Sequence, residues 1–164
     1  MTSARPEHDT AIHVFREIDF AVTTDDVLRA MKIRKVAPSL ERTATALVER
    51  AMEVARPKAM CRVSYIEDRA DDSVTIEGHR FTSHVLTKNL EEIQRVFPFV
   101  ATCGIEMEQL MPDRSDLMAS YCHDTIMMLA VQQARRHMAG FVKSTYSPGQ
   151  ISRMAPGSLA DWPL

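Results

Sequence analysis

The sequence predicts an α+β fold: an antiparallel twisted sheet, packed helices and one long C-terminal helix. Three observations carry this reading. Short period-two stretches are bounded by turn residues, amphipathic runs at helical spacing lie among them, and strand, helix and parallel strand do not alternate regularly. No internal repeat or low-complexity tract is visible. The 164 residues fit one domain, 1–164, whose residues 1–11 around Pro6 form a loose start.

Each element has a local cause. From Ile12 to Phe20 apolar and polar residues alternate, with Ile12, Val14, Ile18 and Phe20 on one side, as in a half-buried strand. The run Thr23-Thr-Asp-Asp26 offers a hydroxyl cap with acids in the first turn of a short helix through Val27, Leu28 and Met31. Pro38 closes that unit. Ser39 is the expected cap of a second helix, whose Leu40, Ala44, Leu47, Val48, Ala51 and Ala55 share a face and which Pro57 stops. Cys61, Val63 and Tyr65 alternate as a strand, and Val74 to Ile76 forms its hairpin partner beyond the acidic turn Asp68–Asp72, a loop longer than the tightest types; Gly78 ends it. Thr82 or Ser83 caps a helix running toward Glu92. The apolar run from Val96 to Cys103 contains Pro98, which demotes it to a sheet edge or a bulge. Gly104 turns into a brief helix ending before Pro112. The longest helix runs from Ser115 to about Lys143, with Leu117, Met118, Tyr121, Cys122, Ile126, Met128, Leu129 and Val131 on a wide buried face.

Composition restricts the function classes. An apolar content of 45% with 26% charged residues suits a globular domain with a core. The apolar stretch from Ile126 to Val131 is far shorter than the roughly 20 residues of a spanning helix, and the N-terminus lacks a signal-peptide core, so a cytoplasmic protein without a membrane partner is expected. A net charge of -2, from 20 basic and 22 acidic residues, gives no reason to expect nucleic acid. The clusters Arg29-Lys32-Arg34-Lys35 and Arg135-Arg136 read as solvated helix ends. Three cysteines at unpaired spacing predict no disulfide framework.

The last 14 residues, from Ile151 to Leu164, break from the Met- and Ala-rich helix before them. Arg153 heads the turn Ala155-Pro156-Gly157. Proline fixes a dihedral and removes a donor, and glycine permits close approach, so an arginine at the head of this turn reads as an anchored binding loop. Upstream, Ser147-Pro-Gly149 is a second Pro-Gly turn that ends the long helix.

Arg153-Met-Ala-Pro-Gly157 resembles the S-adenosylmethionine loop of the activation (reactivation) domain of cobalamin-dependent methionine synthase and of similar free-standing proteins. Collinear with it are Phe15-Arg-Glu-Ile-Asp-Phe20, Asp25-Asp-Val-Leu-Arg-Ala30, Ala101-Thr-Cys-Gly-Ile-Glu106 and His123-Asp-Thr125, so that the resemblance spans about residues 12 to 164. It implies that fold, S-adenosylmethionine as ligand, and cobalamin carried by a partner: a corrinoid protein or a core methionine synthase, with a flavodoxin- or ferredoxin-like reductant. Cofactor-binding residues would be Arg153, Ala155, Pro156, Gly157 and Ser158. Arg153 would pair with the ligand carboxylate, Ala155 and Gly157 would offer backbone to the adenosine part, and Pro156 would keep the loop open. Ser158 stands where relatives often carry tyrosine, with Tyr146 and Trp162 as candidate substitutes. Relatives also continue with further strands past Trp162-Pro-Leu164, which implies either a chain cut short or an edge supplied by a partner.

Two other classes stand beside this one. The first is a non-catalytic interaction domain of the same fold that has lost ligand binding, consistent with Ser158 and the short C-terminus. The second is a small cysteine-dependent enzyme using Cys103 at a strand-to-helix turn, although no His-Asp arrangement accompanies it. Cys122, His123 and Asp124 are adjacent and point in different directions on a helix, which does not suit a metal. The 11 methionines, Met107, Met111, Met127 and Met128 among them, read as core filling ahead of an adaptable partner face. Neither a GxxxxGK[ST] nor a GxGxxG pattern occurs.

Overall fold

The computed structural model describes residues 10–113, 115–157, 161 and 162. By internal contact the chain divides into two units, each assembled from separate stretches. A helical unit comprises Val14–Met60 and Val100–Tyr146, and a sheet unit comprises Met1–His13, Cys61–Phe99 and Ser147–Leu164.

In the helical unit, α1 (Thr24–Ala30) begins where expected. The Thr23 hydroxyl accepts from the Asp26 amide at 3.1 Å and the Asp26 carboxylate accepts from the Thr23 amide at 3.0 Å, a reciprocal cap that satisfies two donors. Helix α2 (Pro38–Val54) corrects the reading of Pro38 as a terminator and Ser39 as cap. Pro38 occupies the first helical position after Ala37, where its missing N–H costs nothing and its fixed φ is already helical. Leu40, Ala44, Leu47, Val48 and Ala51 are buried as the spacing predicts.

Gly104 leads into a single 3₁₀ stretch, Ile105–Leu110, which buries Met107 and Leu110. Helix α4 (Leu117–Tyr146) is 30 residues long. Its buried face differs from the expected one. Ala119, Cys122, Ile126, Ala130, Ala134, Met138 and Val142 are buried, whereas Leu117, Met118, Tyr121 and Met128 are exposed and only Cys122 and Ile126 of the expected set are fully buried. The cause is small-residue packing. Ala44 and Ala51 of α2 and Ala119 of α4 lie in one core, where short side chains let helices approach closely, and bulkier residues on other faces do not compete for that position.

A three-stranded sheet has the order β1-β2-β7, formed by Ile12–Phe15, Lys58–Arg62 and Phe99–Thr102. Strand β1 stops at Phe15, short of Phe20, and its face is inverted: Ile12 and Val14 are exposed while His13 and Phe15 are half-buried. A one-residue choice reverses every side chain of a strand, and Phe15 settles it by meeting His137 and Phe141 of α4 edge-on at 5.4 and 5.1 Å. Past the strand, the Gln133 side chain clamps both backbone groups of Ala21.

The sheet unit holds β3 (Ser64–Ala70), β4 (Ser73–Ile76), β5 (His79–Thr82) and β6 (Arg95–Val96), in the order β5-β4-β3-β6 with every pair antiparallel. The β3–β4 loop is shorter than expected. Ala70 pairs with Ser73, so only Asp71 and Asp72 connect the strands, and the irregularity is a bulge between Ile66 and Asp68. Sequence reading missed β5. It follows a two-residue turn in which Glu77 and Gly78 have φ 51° and 72°, the positive pair that two-residue hairpins favour. Glu77 also pairs with Arg62 at 3.1 Å. Helix α3 (His84–Asn89) is capped by Ser83, whose Oγ accepts from the Leu86 amide at 3.0 Å. Pro98 splits the apolar run into β6 and β7, each at a sheet edge, as proline in a strand predicts. Ile66, Val74, Ile76, Leu86 and Leu90 form this unit's core, with Phe81, Val96, Met154 and Trp162 packed on it.

The architecture is thus α+β, with antiparallel pairing and a long C-terminal helix. Among the described residues no helix is long and apolar enough to cross a membrane.

Candidate functional site

The segment after α4 is where the sequence placed its ligand loop. Ser147 adopts φ 42° and Pro148 follows, which ends the helix at Tyr146 as the Pro-Gly turn predicted. The next residues have no regular structure until the turn at Pro156-Gly157.

This irregular segment is tied to the sheet unit at several points. Met154 is half-buried, packs on the core, and its sulfur accepts from the Asn89 side-chain amide at 3.3 Å. Gly157, at φ 75°, donates its N–H to the Trp162 carbonyl at 2.7 Å. The Trp162 ring meets Phe81 of β5 edge-on at 6.1 Å. Asp161 then accepts through one carboxylate oxygen from the Ser83 hydroxyl at 3.0 Å and from the Val85 amide at 3.1 Å. The Val85 amide bond, followed by the Ser83 hydroxyl and opposed by partial burial, holds the Asp161 carboxyl below its ordinary range.

Immediately ahead of the Met154 anchor Arg153 is exposed, and among the described residues no hydrogen bond or ion pair is shown for its guanidinium. Ala155 is half-buried, and Pro156 and Gly157 are exposed. Four of the five residues named from the sequence therefore form one short loop, while Ser158 lies outside the described residues. The Gly157 N–H is committed to Trp162, so what this residue can turn toward a ligand is its carbonyl and its bare Cα. The aromatic substitutes are also engaged: Trp162 on Phe81, and Tyr146 edge-on to Phe141 at 6.5 Å. Asp161 was not singled out from the sequence. Ser83 was legible as a cap, but nothing local marks an aspartate 78 positions away as the acceptor of its hydroxyl.

The other chemical candidates take structural roles. Cys103 is half-buried and burial raises its thiol pKa, the reverse of what a nucleophile needs; Gly104 beside it serves a close backbone approach to Arg56. His123 is buried, with Nε2 2.9 Å from the Met107 carbonyl, and ties α4 to the 3₁₀ stretch. No group of three or more potential metal ligands occurs among the described residues. Two shallow depressions lie on the helical unit. One, of about 680 Å³, follows the Glu41–Glu49 side of α2; the other, of about 450 Å³, lies between Arg29 of α1 and Arg136 of α4.

A site built this way presents one exposed cation beside a turn whose ends are fixed, which suits a carboxylate-bearing ligand that backbone can also approach. No family model matches the chain, and no curated protein matches it in sequence.

Proposed function

We propose that the chain is an S-adenosylmethionine-binding module that supports reductive reactivation of a cobalamin-dependent methionine synthase or a related corrinoid methyltransferase, and that its fold is of the activation-domain type. The observation that carries this reading is the Arg153–Gly157 loop. It combines the motif with a geometry in which Met154 and Trp162 face the sheet-unit core and Arg153 faces outward.

The residues present fit the ligand's amino-acid end. Arg153 offers a planar fork of donors to a carboxylate, and Pro156-Gly157 offers a turn without bulk. In open solvent such an ion pair contributes at most about 1 kcal/mol. Each charge-assisted bond rises toward about 1.5–3 kcal/mol when water is excluded. Tight binding therefore calls for a partner surface to close over the loop, in keeping with a module that works against a corrinoid protein. When bound, S-adenosylmethionine supplies a methyl group on a sulfonium that leaves readily, with the partner's cobalt as acceptor and a flavodoxin- or ferredoxin-like protein as electron source. This chain's part is to orient the ligand, and it needs no general base for that.

The test is thermal unfolding with and without S-adenosylmethionine, on the wild type and on Arg153→Ala. Ligand at 100 times its dissociation constant adds about 2.7 kcal/mol, a rise of roughly 5–10 °C for a chain of this size. The proposal expects that rise in the wild type and its loss in the variant. A rise retained in Arg153→Ala would move the site elsewhere. No rise in the wild type would favour the interaction-domain reading.

A further inference from the structure

The contacts of the C-terminal segment share a geometry that the ligand motif alone does not require. Helix α3 is six residues long, about 9 Å, and the segment touches both of its ends. Met154 meets Asn89, the last helical residue, and Asp161 meets Ser83 and Val85 at the first turn. The Gly157–Trp162 hydrogen bond closes the chain between these contacts, and Trp162 is seated on Phe81.

The Asp161 contact is more than a surface bond. Ser83 Oγ accepts from the Leu86 amide while donating to Asp161, so a single hydroxyl links the helix's own cap to the C-terminal segment. Ser83 is buried, as is the second Asp161 oxygen, which has no hydrogen-bond partner among the described residues. A carboxylate held against a helix N-terminus in this way is an anchor that its neutral, shorter replacement cannot supply.

We propose that Asp161 is a positioning residue for the Arg153–Gly157 loop: by latching onto α3 it fixes the segment that presents Arg153. The role assigned to the positioned loop rests on the ligand-binding reading above, whereas the latch itself does not.

The chain reports on the latch directly. Trp162 is its sole tryptophan, and trypsin can cut after Arg153. Asp161→Ala and Asp161→Asn are compared with the wild type by collisional quenching of Trp162 fluorescence, by the rate of cleavage after Arg153 and by far-ultraviolet circular dichroism. Asp161→Ala is expected to raise quenching severalfold and cleavage at least tenfold with the helix signal kept. Asp161→Asn, which retains an acceptor oxygen, is expected to fall between. Wild-type quenching and cleavage in Asp161→Ala would overturn the proposal. If Asp161→Ala lost its helix signal, Asp161→Asn would decide by the same two readouts.

S-adenosylmethionine titration forms the second arm. Weaker binding in Asp161→Ala, with cleavage accelerated, supports the positioning role, and wild-type affinity with an open latch overturns it. If the wild type does not bind the molecule, the ligand reading fails, while quenching and cleavage still decide whether Asp161 holds the loop.

Discussion

Replacing Gly104 with alanine should damage the helical unit more than most single methyl additions. Gly104 sits at φ 94° and ψ 141°, a region side chains rarely enter. A Cβ there would lie 2.5 Å from Glu106 Oε2 and 2.8 Å from the Arg56 carbonyl oxygen. The glutamate can swing aside, since its other oxygen is only loosely paired with Lys58 at 3.7 Å. The Arg56 carbonyl cannot move so easily. It sits just past Ala55, the C-terminal cap of α2, and the Arg56 amide donates to the Cys103 carbonyl at 3.3 Å, so the two backbones are tied where the methyl must enter. Backbone strain contributes about 1–3 kcal/mol and overpacking a similar amount, for a loss near 4 kcal/mol. That is a large part of the roughly 5–15 kcal/mol that holds a domain folded. Urea unfolding followed by circular dichroism should show the midpoint fall with an unchanged slope, and heating should show a drop of about 8–16 °C. The control is Gly140→Ala in α4, where an added Cβ meets nothing within 4 Å and should stabilise by about 0.5–1 kcal/mol. A Gly104→Ala loss below about 1 kcal/mol would refute the close-approach argument.

Other perturbations follow from the same contacts. Thr23→Ala removes the reciprocal cap of α1 and should cost about 1 kcal/mol in urea unfolding, most of it recovered in Thr23→Ser. Cys61, Cys103 and Cys122, each with its thiol pKa raised by burial, should alkylate at neutral pH far more slowly than free cysteine and react fully only in denaturant; rapid alkylation of Cys103 would revive the nucleophile reading. Asp161 is held below its ordinary 3.8, so its contribution is complete above that value and disappears as pH falls through the lower folded value. Trp162 quenching should therefore rise in acid before the helix signal is lost, and Asp161→Asn should flatten that early phase.

What was legible in the chain was what neighbours in sequence decide. The Thr23 and Ser83 caps, the buried stripe of α2 and the demotion caused by Pro98 all depend on residues within a turn or two. The faces of β1 and α4 were misread because distant partners choose them. Phe15 turns inward to reach α4, and an alanine stripe outweighs larger side chains because it lets helices close up. Strand β5 was missed because Glu77-Gly78 is not one of the strong hairpin pairs, although Glu77 adopts the required left-handed conformation. At the candidate site the motif residues were legible, while the anchor at Asp161 depends on a contact 78 positions away.

The assembly of the helical unit from two separated stretches has a consequence for synthesis. Once α2 has left the ribosome, its alanine face and the α1 residues Val27 and Leu28 still lack α4, whose far end lies about 90 residues downstream. At 5–20 residues per second this interval is on the order of 5–20 s, long compared with hydrophobic collapse. During that time the nascent chain presents an apolar surface that only its own later segment can cover, which makes it a natural client for a chaperone that holds emerging chains. Asp161 and Trp162, which tie the C-terminal segment to the sheet unit, emerge later still, so their contacts can form only after this exposed interval has passed.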